Sequence, residues 1–229
     1  MTLNIPSLIF ITGADGVGKS SIARWLVERL QEQGIKAGLV WSRFGNFLSK
    51  PLLAITRLSG HNFYKSVDGV LFGFHNFEKL YGFRYLFALM QAIDVNISAI
   101  KDIRRIKNRY DILVCERGPW DTLADVIADT GLDNLYEGVI SRMFTAQIRG
   151  EARVIMVKRS KENIFQSRPE LIHDYKLDRK LKIYNRLAEV NRWSILDNNH
   201  SIEKAHNEMF KLLQLTATHK ISRAIAIFK

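Results

Sequence analysis

Residues 13–20 read GADGVGKS, and the five residues before them read LIFIT. A G-x-x-x-x-G-K-[ST] octet with a strand-like apolar run before it and a helical pattern after it admits few folds. Its glycines let backbone N–H groups turn inward around phosphate oxygens, and the amino end of the following helix adds positive potential. The residues that would bind ATP in this way are Gly13, Ala14, Asp15, Gly16, Val17, Gly18, Lys19, Ser20 and Ser21. Lys19 can reach the β- and γ-phosphates, and Ser20 can ligate Mg²⁺. Ile22, Trp25, Leu26 and Leu30 then recur at helical spacing, and Gly34 supplies a stop. Asp15 is the odd member. A carboxylate beside bound triphosphate costs electrostatic energy unless it turns towards a second ligand or outward into solvent.

Four apolar runs read as buried parallel strands: Leu8–Thr12, Ala37–Trp41, Ile112–Cys115 and Val154–Val157, with a weaker fifth at Trp193–Leu196. Helical patterns lie between them, among them an amphipathic segment from Phe83 marked by Leu86, Phe87, Met90, Ile93, Ile97 and Ile100. Ser201 caps a last helix to about Leu213. Strands alternating with helices imply an α/β chain of P-loop NTPase type, with a five-stranded parallel sheet flanked by helices. Its chemistry belongs beyond the carboxyl ends of the strands, after Thr12, Trp41, Cys115 and Val157. The 229 residues suit one domain over 1–229, and no repeat or Pro/Gly/Ser-rich linker divides them.

DILVCERGPWDT puts Glu116 and Arg117 at the end of the third apolar run. An acid there can hold a Mg²⁺ water or accept a proton from an attacking hydroxyl. The arginine beside it can bind an acceptor phosphate bidentately. Glu116 and Ser20 are therefore the candidate metal-binding residues.

With these residues assembled, the chain resembles the thymidylate kinase family of nucleoside and nucleotide kinases. GADGVGKSS is similar to the family's phosphate loop, in which an acid at the position of Asp15 faces the acceptor's sugar. WSRFGN is similar to the loop after the second strand, with Arg43 near the acceptor phosphate. LFALMQ resembles a helix whose aromatic residue, here Phe87, stacks on the base. CERG stands where the family has Asp-Arg, and YNRLAE resembles its carboxyl-terminal part. The resemblance implies an acceptor pocket of Asp15, Arg43, Phe87, Gln91 and Arg117, with catalytic roles for Lys19, Glu116, Arg117 and Arg168. It also implies ATP and Mg²⁺ as cofactors and, as in relatives, a possible homodimer. Two departures lean towards deoxynucleoside kinases, namely Gln91 in place of the base-reading arginine and Glu116 in place of aspartate. Read without the resemblance, Phe87 suits core packing and Gln91 a solvated helix position.

VKRSKENIFQSRPELIHDYKLDRK is strongly basic, with nine Lys+Arg against four Asp+Glu between Lys158 and Arg186. Its position after the fourth strand suggests a lid over about 159–173. Arg168 is the leading candidate there to neutralise charge on the transferred group, with Arg159 and Lys161 behind it. Gly16 stands where some of these kinases carry an arginine, so the chain resembles the subgroup whose catalytic arginine comes from the lid. The basic, apolar tail over about 217–229 either packs on the domain or touches an acidic surface. Cys115 reads as a small core residue, and the scattered histidines form no transition-metal pattern.

The resulting expectation is ATP-dependent phosphoryl transfer to a nucleoside monophosphate. The alternatives are a deoxynucleoside kinase with Glu116 as general base, and a nucleotide-binding regulatory or nucleic-acid-binding protein. The formal charge of +11 favours anionic partners without choosing among them. No signal peptide or transmembrane span is legible. The most apolar window, FRYLFALMQAIDVNISAI, is broken by Arg84, Gln91 and Asp94, so a cytoplasmic protein is expected.

Overall fold

The structure is a computed structural model and describes residues 6–41, 47–67, 70–146, 148 and 152–213. β1 (Leu8–Thr12) leads into α1 (Lys19–Glu32) and β2 (Ala37–Trp41), and α2 (Lys50–Leu58) precedes a hairpin of β3 (Asn62–Val67) and β4 (Val70–His75). α3 (Tyr81–Ala99) continues through a π-helical turn, Ile100–Arg104, into the short α4 (Arg105–Lys107). β5 (Ile112–Glu116), α5 (Pro119–Thr130) and α6 (Val139–Phe144) follow. The chain then runs through β6 (Ala152–Lys158), α7 (Lys161–Ser167), α8 (Leu177–Asn191) and β7 (Ser194–Asp197) to α9, residues 202–213.

Five strands form one parallel sheet in the order β2-β5-β1-β6-β7. They are the five apolar runs of the sequence. β1 and β2 have the expected ends, whereas β5 extends to Glu116, β6 to both sides, and β7 begins at Ser194. β1 and β5 are buried along their whole length, as unbroken apolar strands covered on both faces should be. α1 supplies the cover over β1, β2 and β5 with Ile22, Ala23, Leu26, Val27 and Leu30.

The strand order positions the site. β2 and β5 lie on one side of β1, and β6 and β7 on the other. The connections on either side of β1 diverge at its carboxyl end, which opens a crevice there. The antiparallel β3–β4 hairpin stands apart from this sheet and is absent from the sequence-based expectation. α3 buries Phe87, Ala88, Gln91, Ala92, Val95 and Ala99, and leaves Leu86, Leu89, Ile93 and Ile97 exposed, as is Ile100 just past its end. Among the described residues no helix is long and apolar enough to cross a membrane.

Candidate functional site

The loop 13–18 leaves β1 at the buried Thr12 and enters α1 at Lys19. Its backbone is possible only because glycines occupy the turning points. At Gly13 (φ 141°) a Cβ would stand 2.6 Å from the Val157 carbonyl oxygen. At Gly16 (φ 82°) it would meet Ile164 and Leu171 at 2.8 Å, so the segment after β6 packs directly on the loop. From the other side, Asn198 Nδ2 donates to the Val17 carbonyl at 2.7 Å.

Lys19 is only 5% exposed. Its Nζ donates to the carbonyls of Gly13 and Ala14, each at 2.7 Å, and lies 3.7 Å from Asp15 Oδ1. Burial lowers its pKa, as does the Arg117 guanidinium, while Asp15, Asp121 and Glu116 oppose the shift. Asp15 also ion-pairs with Arg117 Nη2. Burial alone would raise the Asp15 carboxyl, but Arg117 and Lys19 outweigh it and hold the group well below the usual carboxylate range. Asp15 therefore does not turn into open solvent; it joins the loop to the end of β5.

At that end, Glu116 Oε1 accepts a hydrogen bond from Ser20 Oγ. Two hard oxygen donors side by side, next to the glycine loop, are of the kind that could hold Mg²⁺ together with waters and phosphate oxygens. Arg117 follows in the left-handed region (φ 71°), its N–H bonded to the Ile11 carbonyl at 3.0 Å. The buried Asp121 supports this turn. Its carboxylate accepts from Thr12 Oγ1 at 2.9 Å, the Gly118 N–H at 2.7 Å and the Tyr184 hydroxyl at 2.9 Å. Burial pushes the Asp121 carboxyl up, against the pull of Lys19 and Arg117. In the sequence Asp121 reads as one more charge at a helix start, with no local signal of the three hydrogen bonds it accepts.

A cleft of about 260 Å³ is lined by Asp15, Gly16, Gly18, Lys19, Ser20, Ser21, Glu116, Arg117, Arg159, Ser167 and Arg168. The loop, the acid–arginine pair and the cations after β6 are thus brought together. Arg159 is the better placed of those cations. Its Nη1 lies 3.0 Å from Ser167 Oγ and 3.5 Å from the Gly16 carbonyl, and its buried Nε has no hydrogen-bond partner. Arg168, expected to lead, is ion-paired with Glu170.

Gly13, Ala14 and Val17 are buried in the loop's supporting side and do not line the cleft. The two base-pocket residues do not line it either. Phe87 is 3% exposed, edge-to-face with Phe77 at 5.0 Å and stacked with Phe83 at 6.1 Å. Gln91 is 5% exposed and donates from Nε2 to Ser49 Oγ at 3.1 Å. Ser49 Oγ in turn donates to Asp94 Oδ2 at 2.7 Å. The helix face shared by Phe87 and Gln91 packs against Phe77 and Ser49 at the start of α2, away from the cleft. Arg43 and the basic tail lie outside the described residues. Compared with protein-family models and with curated protein sequences, the chain matches none.

Proposed function

We propose that this chain is a P-loop phosphotransferase that uses ATP and Mg²⁺ to phosphorylate a nucleoside monophosphate, as thymidylate kinases do. The observation that carries this reading is the convergence of Lys19, Ser20, Glu116, Asp15 and Arg117 on one cleft beyond the ends of β1 and β5. The loop amides and Lys19 bind the donor phosphates, with Lys19 exchanging its carbonyl partners for phosphate oxygens. Ser20 and Glu116 would hold Mg²⁺, which would neutralise charge on the β- and γ-phosphates. Arg117, oriented by Asp15, faces the acceptor, and Arg159 or Arg168 supplies positive charge as the phosphoryl group moves. A homodimer, as in the family resembled, would cover the exposed apolar stripe of α3, and sedimentation of an Ile93→Lys variant tests it.

One observation favours a second acceptor class. The Asp15–Arg117 pair carries no net charge, so its positive charge is already matched before an acceptor phosphate arrives. A deoxynucleoside, with a neutral 5′-hydroxyl, would suit such a pair, and Glu116 would then accept its proton. An acceptor panel with radiolabelled ATP separates the two readings. Product on thymidine monophosphate but not thymidine supports the first reading, and the reverse supports the second. Lys19→Ala should lower transfer by about 100-fold or more, and transfer at the parent rate overturns the site assignment.

A further inference from the structure

At the opposite end of the sheet, where β6 and β7 begin, a cavity of about 400 Å³ is lined by Arg142, Arg153 and Arg192 together with Trp120 and Trp193. No carboxylate lines it, and none ion-pairs with these three arginines among the described residues.

Arg153 carries most of the argument. It is the second residue of β6, an interior strand, in register with Ile9 of β1. It is half-buried, and Nη2 donates to Ser194 Oγ at 3.1 Å, but its buried Nε has no partner. Burial also lowers its pKa. A half-buried guanidinium that no carboxylate neutralises carries a desolvation cost that an anion in the cavity would offset. Arg192 is a second, independent sign. It ends α8 in the left-handed region (φ 52°, ψ 46°), where glycine or asparagine is the easier occupant. A long cation is therefore held at a backbone cost beside the same cavity. Trp120 and Trp193 meet edge to face, 5.7 Å between centroids, and add an apolar wall.

We propose that this cavity is a second anion site, built to take the phosphate of a small molecule through the guanidinium forks of Arg153 and Arg192. It is separate from the glycine-loop cleft. Ala152 and Arg153 line the cavity at the start of β6, and Arg159 lines the cleft just past its end. At about 3.3 Å per residue, the two lie roughly 20 Å apart along that strand. Trp120, in the first turn of α5, lines the cavity, and Arg117, just before that helix, lines the cleft.

The test uses the full chain carrying Lys19→Ala, which weakens the loop site, and titrates it with inorganic phosphate, AMP and ATP by calorimetry and tryptophan fluorescence. Saturable binding is expected, weakened about tenfold or more by Arg153→Met and by Arg192→Gly, as loss of a charge-assisted contact requires. Arg192→Gly relieves the left-handed backbone, so its melting temperature should not fall and weaker binding in it is not unfolding. Tighter binding of AMP or ATP than of inorganic phosphate identifies a nucleotide as the ligand, and the opposite order identifies free phosphate; either supports the site. The proposal is overturned by an absence of saturable binding or by affinities unchanged in both arginine variants. None of these outcomes touches the loop site, which is judged by phosphoryl transfer in the chain with Lys19 intact.

Discussion

Asp121 shows how much one side chain can organise. Its two oxygens bind the end of β1 through Thr12, the turn after β5 through the Gly118 N–H, and α8 through Tyr184. Truncation to alanine leaves three buried donors without acceptors. Asp121→Ala should therefore cost about 3 kcal/mol or more. Asp121→Asn keeps one oxygen and lets the Tyr184 hydroxyl turn to accept from the new amide, so it should cost about 1 kcal/mol. Urea midpoints at unchanged m-value measure both, and equal losses would mean that the hydrogen bonds are not what matters there. The cations after β6 admit a similar contrast. Arg159 reaches towards Gly16, while Arg168 is held by Glu170. If transfer needs a cation from this segment, Arg159→Ala should lower kcat by about 100-fold and Arg168→Ala by much less; the opposite ranking would return the role to Arg168. That ranking is not legible in the sequence, because Glu170 and Arg168 share a turn whose pairing depends on where the loop sits.

At the scale of elements, sequence patterning served well where burial is one-dimensional. Leu8–Thr12 is a strand with the expected ends, because an unbroken apolar run bounded by polar residues suits a strand covered on both faces. Ala37–Trp41 also has the expected ends, although at the sheet's edge it leaves Leu39 and Trp41 exposed. The β3–β4 hairpin lies outside the parallel-sheet expectation, although the sequence has Asp68-Gly69 between Val67 and Val70, which pair. Asp-Gly between strand-like residues is a strong hairpin signal, but attention to a parallel sheet gives a two-stranded ribbon no place. α3 illustrates a different limit. Spacing puts Phe87 and Gln91 on one face, yet it does not say what that face meets. The deciding residue is Asp94, which accepts from the backbone N–H groups of Phe47, Leu48 and Ser49 and from Ser49 Oγ. It fastens the start of α2 onto α3 and leaves Gln91 against Ser49. Asp94→Ala should cost about 3 kcal/mol and speed amide exchange at residues 47–49 selectively. Uniform acceleration across α3 instead would mean that Asp94 stabilises its own helix rather than the junction.

Across the whole molecule, the charge of +11 is a reading that the sequence supplies without direction. In the structure, several cations are matched one to one by acids, which leaves the surplus to the others. Arg117 is matched by Asp15, Lys176 by Asp129, Lys180 by Asp125 and Arg179 by Glu78. Other cations stand around two separate concavities, Arg159 at the cleft and Arg142, Arg153 and Arg192 at the far cavity. Two small basic hollows at opposite ends of a sheet suit compact anions better than a continuous polyanion, which needs a track of contacts along one face. Salt separates these cases. Each neutralised phosphate on a duplex contributes about −0.9 to the slope of log K against log salt, so a nucleic-acid face making six contacts would show a slope near −5. Binding of ATP to a preformed cleft involves a few charges at one point and should give a slope of about −1 to −2 under the same conditions. The expected result is that ATP binding persists at 0.2 M salt with a shallow slope while duplex DNA binding is already negligible. A steep slope for DNA together with submicromolar affinity at that salt would overturn the small-anion reading, because it would require a continuous basic surface in place of two pockets.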